Sequence, residues 1–92
     1  MSRARVRILY SGRVQGVGFR YTVKSLATGY DVTGIVRNLS DGRVEIVAEG
    51  AQPEVAAFRE AVLQTHVGRF VKGEHIEWLE GAGEFRGFEI VH

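Results

Sequence analysis

The stretch Gly12-Arg13-Val14-Gln15-Gly16-Val17-Gly18-Phe19-Arg20 constrains this chain more than any other. It stands between a run of strand-like alternation and a run of helical period. Gly12, Gly16 and Gly18 fall within seven residues, which leaves the backbone free to curl and lets a ligand approach the main chain closely. Successive amides in such a curl converge on one anion. The helix that follows adds its free N–H groups and the positive end of its dipole. Arg20, in the first turn of that helix, adds a guanidinium that matches phosphate oxygens two at a time. Three sources of positive potential meet here, and together they read as a phosphate pocket.

The flanking periods predict the rest of the fold. Val6, Ile8 and Tyr10 share one face of a first strand, Val6 to Ser11, with Arg5, Arg7 and Leu9 on the other. Phe19, Val23, Leu26 and Ala27 form one helical stripe, and Gly29 is a natural stop. Val32 to Asn38 and Arg43 to Glu49 read as two strands joined by Leu39-Ser40-Asp41-Gly42, where Asp-Gly is a hairpin signal. Pro53 and Glu54 suit the start of a second helix, which buries Val55, Phe58, Ala61 and Val62. Val67 to Gly73 reads as a frayed helix end and a loop, with Phe70 and Val71 plugging an edge of the core. Glu74 to Glu80 is a fourth strand, Gly81-Ala82-Gly83 a flexible turn, and Arg86 to Val91 a short last strand. This order predicts an α+β fold: a ferredoxin-like split βαβ sandwich (βαββαβ), an antiparallel sheet with two helices on one face. An open second face accounts for the polar residues at alternate strand positions. Residues 1–92 are expected to form a single domain.

Composition narrows the function classes. No apolar run approaches membrane-spanning length, and no apolar signal core follows Met1-Ser2-Arg3-Ala4-Arg5. The chain has no cysteine, which removes disulfides and thiolate metal sites and fits a reducing cytoplasm. A net charge of +1 hides an asymmetry, since every charge before Asp31 is positive. Arg3, Arg5 and Arg7 are read as the solvated face of a strand rather than as a binding surface. His66, His75 and His92 lack the spacing of a ligand cluster, so no metal is expected.

The residue types also limit the reaction. A phosphate dianion in the cradle receives charge-assisted hydrogen bonds worth roughly 1.5–3 kcal/mol each. Catalysis further requires donors around the transferred group and an aligned water. Asn38, at the end of the second strand, is the candidate for that water. Its carboxamide accepts from a water but is no base near neutral pH. Without a base or a metal, the leaving group must depart easily, as a carboxylate does and an alkoxide does not. Mixed carboxylic–phosphoric anhydrides are therefore favoured over phosphate monoesters.

The nine-residue stretch, with Gly34-Ile35-Val36-Arg37-Asn38 and Asp41-Gly42-Arg43-Val44-Glu45 downstream, resembles the acylphosphatase family. The resemblance implies the same sandwich fold and the hydrolysis of acyl phosphates without metal or organic cofactor. It gives Arg20 the role of binding the phosphoryl group and Asn38 that of positioning the attacking water. Amides of Gln15, Gly16, Val17, Gly18 and Phe19 complete the cradle. Asp31 stands where the family usually has a glycine, which puts the local turn geometry in question.

Two other readings remain at this point. One is a phosphate-binding module without turnover, including the acylphosphatase-like domains of larger hydrogenase maturation proteins. The chain's end at His92 and its lack of zinc-finger cysteines favour a stand-alone enzyme. The other is an RNA binder, because ferredoxin-like sheets often bind RNA through strand aromatics. Gly18-Phe19-Arg20-Tyr21 falls at a loop-to-helix junction instead. The expectation is a monomer acting on a small acyl phosphate, with inorganic phosphate or another anion able to occupy the cradle. No nucleic-acid or membrane partner is expected.

Overall fold

The alternation of Val6, Ile8 and Tyr10 with Arg5, Arg7 and Leu9 becomes a central strand. A computed structural model describes residues 3–92; Met1 and Ser2, part of the charged start read above, lie outside the described residues. The elements are β1 (Arg3–Gly12), α1 (Phe19–Ala27), β2 (Val32–Asn38), β3 (Val44–Ala51), α2 (Gln52–Gln64), a 3-10 turn (Gly68–Phe70), β4 (Val71–Glu80) and β5 (Phe88–Ile90). The sheet order is β4-β1-β3-β2-β5. The first four strands are antiparallel, which gives the expected ferredoxin-like sandwich.

The last strand departs from expectation: β5 pairs with β2 in parallel, so the sheet is mixed. The reason lies in residues 81–87. They leave β4 at one edge and reach β2 at the other, so the chain arrives running in the direction of β2. On the way they cross the face that bears no helix, where the amides of Ala82 and Gly83 meet Glu49 of β3.

Both helices pack on the other face, α1 chiefly over β2 and β5 and α2 over β1 and β3. The core between them is built from the predicted stripes: Val6, Ile8, Tyr10, Phe19, Val23, Val36, Ile46, Val55 and Phe58 are all buried. Tyr10 meets Phe19 with ring centroids 5.6 Å apart, and Phe58 meets Phe88 at 5.4 Å. Burying each such ring contributes about 1.5–3 kcal/mol. The core thus ties α1, and the loop before it, to the centre of the sheet. Gly34 permits the close approach of β2 and β3, since a Cβ there would overlap the Val47 carbonyl oxygen.

The helix-free face is not an open polar surface. Glu45 and Glu49 are buried, and Arg3, Arg5 and Arg7 are their partners rather than a solvated fringe. Glu49 accepts from Arg3 Nε at 3.0 Å and Arg5 Nε at 3.0 Å, and from the amides of Ala82 at 3.0 Å and Gly83 at 2.6 Å. Glu45 accepts from Arg7 Nε and Arg37 Nε, each at 2.6 Å. Burial alone would raise the pKa of Glu49, but Arg3, the two amides and Arg5 outweigh it and hold the carboxyl to about 2. Glu45 is likewise held below its ordinary value, Arg7 and Arg37 overcoming the burial. The Gly81-Ala82-Gly83 segment, expected to be a flexible turn, is the anchored end of a strap.

Smaller differences have local causes. Val67 is buried and Phe70 and Val71 pack against the core, as expected, but β4 already begins at Val71. Gly29 follows α1 without a positive φ, and Asp31 has none either. The helix unwinds through Thr28, Gly29 and Tyr30, whose amides donate to Ser25, Leu26 and Ala27. The Asp31 amide donates to Glu54 Oε1 at 2.9 Å, so the turn needs no left-handed residue. Among the described residues, no helix is long and apolar enough to cross a membrane.

Candidate active site

The loop between β1 and α1 is held at both ends and curled in the middle. Arg13 donates its amide to the Phe70 carbonyl at 3.2 Å, and Val14 is fully buried. An apolar residue inside a glycine-rich loop thereby becomes its anchor. Gly16 and Gly18 then take φ values of 80° and 82°, in the left-handed region that costs other L-residues about 1–2 kcal/mol. No heavy atom lies within 4 Å of where a Cβ at either glycine would sit. The left-handed turns, not crowding, therefore demand glycine.

Gly18 is the N-cap of α1. Its carbonyl accepts from the Thr22 amide at 3.0 Å and from Thr22 Oγ1 at 2.9 Å, which fixes the first turn. No side chain caps the helix and no acidic residue stands in its first turn. The first amides and the positive dipole end therefore have no side-chain acceptor or acid of the helix's own first turn beside them. Arg20 projects from this turn, and among the described residues no carboxylate pairs with it.

These groups line one pocket of about 240 Å³, formed by Val14, Gly16, Gly18, Phe19, Arg20, Tyr21 and Asn38. At roughly 30 Å³ per water, that is room for a tetrahedral anion with a water beside it. Asn38 enters from β2, where its backbone stands opposite Val44 of β3. Its Oδ1 is buried and has no hydrogen-bond partner among the described residues.

Of the residues singled out in the sequence, the structure brings Gly16, Gly18, Phe19, Arg20 and Asn38 together. Gln15 and Val17 do not line the pocket. Val17 packs against the core, and the Gln15 carboxamide donates to the carbonyls of Leu39 at 2.7 Å and Arg43 at 3.0 Å. Sequence reasoning passed over Val14 as a wall residue and left Tyr21, which lines the pocket, open between a brace for the cradle and an ordinary helix position. Their signals were present: an apolar residue between polar neighbours, and an aromatic off the helix's buried stripe.

Two other features hold no comparable chemistry. A wider groove of about 600 Å³ runs along the helices and includes Tyr21, Leu26, Tyr30 and His66, but no lysine, arginine or carboxylate lines it. Tyr10 Oη is buried beside Glu74, and burial first, then the charge of Glu74, suppresses its ionisation. It belongs to the core and does not line the pocket. Among the described residues no group of three potential metal ligands comes together.

Comparison with known proteins identifies the family. The acylphosphatase family model matches residues 6–90. An acylphosphatase from Pelotomaculum thermopropionicum is 41% identical, over 99% of this chain and 99% of its own. One from Anaeromyxobacter dehalogenans is 44% identical, over 96% of this chain and 95% of its own. The crystal structure of acylphosphatase from Bacillus subtilis superposes with a TM-score of 0.88 at 38% identity, covering 97% of this chain and 99% of that one. With a family match running from β1 through β5 and relatives of equal length, the chain belongs to the acylphosphatase family and is an enzyme that hydrolyses acyl phosphates.

Proposed function

We propose that the pocket binds the phosphoryl group of an acyl phosphate through the loop amides that line it, those of Gly16, Gly18 and Phe19, and the Arg20 guanidinium, while Asn38 orients the attacking water. The observation that carries this reading is the meeting of opposites in one small pocket. Among the described residues, its Arg20 guanidinium pairs with no carboxylate and the buried Asn38 Oδ1 accepts from no donor of the chain. A phosphoryl group with a water beside it would satisfy both at once.

The mechanism follows from what these groups do in the transition state. As the P–O bond to the carboxylate stretches, charge spreads over the equatorial phosphoryl oxygens. Amides and a guanidinium already in place need no reorganisation to meet it. The water held by Asn38 attacks phosphorus, and the carboxylate leaves without protonation. Neither a metal nor an organic cofactor is needed in this scheme. In this scheme the enzyme acts as a monomer. A small soluble acyl phosphate in the cytoplasm is the substrate class.

The test is hydrolysis of acetyl phosphate in EDTA by wild type, Arg20→Ala and Asn38→Ala. Turnover should persist in EDTA and be competitively inhibited by inorganic phosphate. Arg20→Ala should weaken both phosphate binding and rate. Asn38→Ala should lower kcat by about 10²-fold with phosphate inhibition little changed. Full turnover by Asn38→Ala would remove it from the mechanism.

A further inference from the structure

We infer that Gln15 is a positioning residue that fixes the distance between the anion cradle and Asn38. The inference rests on the roles just proposed for the cradle and for Asn38. Gln15 lies between Val14, which anchors the loop, and Gly16, which lines the pocket. Its Nε2 reaches across to the carbonyls of Leu39 at 2.7 Å and Arg43 at 3.0 Å. Leu39 is the residue after Asn38. One carboxamide therefore uses both its N–H bonds to tie the cradle loop to the neck of the β2–β3 hairpin.

The hairpin does not need this bond to form. Leu39 donates its amide to Arg43 O at 2.8 Å and Gly42 donates to Leu39 O at 3.2 Å. Asp41 Oδ1 accepts from the Arg43 amide at 3.0 Å. The turn is closed by its own groups, and what Gln15 adds is its attachment to the loop. That attachment matters because Asn38 Oδ1 has no hydrogen-bond partner among the described residues, so its place depends on the backbone of β2, which pairs with Val44 and continues into Leu39. A misplacement of about 1 Å between a nucleophile and its target costs on the order of 10²-fold in rate.

Three variants test this with acetyl phosphate as substrate and inorganic phosphate as the probe of the cradle. Gln15→Leu should lower kcat by about 10-fold to 100-fold and change the phosphate inhibition constant by less than about threefold. Gln15→Glu places a carboxylate against two carbonyl oxygens. It should be as impaired at neutral pH and should recover relative to wild type as acid protonates the new carboxyl and restores one donor. Gln15→Leu should show no such recovery. In an Asn38→Ala background, Gln15→Leu should have little further effect on kcat, because it acts through that residue. Loss of phosphate affinity in step with kcat, absence of acid recovery in Gln15→Glu, or additive losses in the double variant would each overturn the inference. If Asn38→Ala alone keeps full activity, the failure lies in the reading of Asn38 and is seen in that single variant.

Discussion

Two regions of the sheet, its helix-free face and the end where β1 gives way to α1, treat arginine in opposite ways. On the helix-free face, Arg3 and Arg5 converge on buried Glu49, and Arg7 and Arg37 on buried Glu45. At the end of the sheet where β1 gives way to α1, Arg20 meets no carboxylate among the described residues and faces a pocket. The first arrangement stabilises the fold, because each buried charge has its counter-charges and hydrogen bonds. The second leaves positive potential that the described residues do not neutralise, which is what the proposed binding of a substrate phosphoryl group requires. What separates the two sites is whether the chain supplies the anion.

If that contrast is right, the two kinds of arginine site should dissociate cleanly under mutation. The largest effect is expected at the pocket. Arg20→Ala should lower kcat/KM for acetyl phosphate by about 10³-fold or more while changing unfolding stability by less than about 0.5 kcal/mol. Steady-state kinetics and urea titration on the same preparation measure both. A large loss of stability with modest loss of rate would place Arg20 with the structural arginines and dissolve the contrast.

The reverse is expected at Glu49. Glu49→Ala should destabilise the chain by roughly 3 kcal/mol, the low end for breaking a buried pair. Arg3 is half-exposed and Arg5 keeps Glu84 as a partner at 2.7 Å, so less is stranded than in a fully buried pair. The strap loses the acceptor for two of its amides as well. The folded fraction should keep wild-type kcat and KM. Kinetics under native conditions and a denaturant midpoint decide the matter, and a drop in kcat of the folded enzyme would show that the two regions are coupled.

Much of this layout was legible in the sequence, and the failures share a cause. Strands, helices and core follow from periodicity, since Val6, Ile8, Tyr10, Phe19, Val23 and Phe58 declare their buried faces locally. The pocket was legible because its cradle lies within seven residues, with Asn38 at a strand end. The carboxylate face was not. The Arg3–Glu49 and Arg7–Glu45 partners are 46 and 38 residues apart in the chain. Each member alone looks like a solvated strand position. Alternation had put Arg5, Arg7, Glu45 and Glu49 on the faces away from the core. Only the antiparallel register, with Arg5 opposite Glu49, turns that into pairing. The strap was illegible for the same reason, because nothing in Ala82 or Gly83 signals that their amides will meet a carboxylate across the sheet.

Acid offers a finer probe of the difference. The Glu49 carboxyl is held to about 2 against an ordinary value of 4.5. The unfolded chain therefore binds this proton at higher pH than the native chain does. The stabilisation from Glu49 is complete above the ordinary value and is lost as pH falls from there through about 2. Glu45, also depressed, acts with the same sign. The stability difference between wild type and Glu49→Gln should hold steady above about pH 5 and shrink progressively below it. Between wild type and Arg20→Ala no such trend should appear, as that site contains no carboxylate. A wild-type advantage over Glu49→Gln that stays constant down to pH 2 would contradict the pairing.

The smallest effects concern backbone alone. Gly18 holds φ at 82° with open space where a Cβ would go, so Gly18→Ala meets no atom and should cost about 1–2 kcal/mol of strain. Its rate should fall too, since relaxing that strain turns the cradle amides. Gly29, which the sequence suggested as the helix stop, has no positive φ. Its nearest neighbour to a new Cβ is the Leu26 carbonyl oxygen at 3.6 Å, an ordinary contact. Gly29→Ala should therefore stabilise the chain by about 0.4–1 kcal/mol, through loss of freedom in the unfolded state, and leave turnover unchanged. Opposite signs for two glycines at the two ends of one helix make a demanding test. They follow from φ alone, and a destabilised Gly29→Ala would show that the turn after α1 carries a constraint the backbone angles do not express.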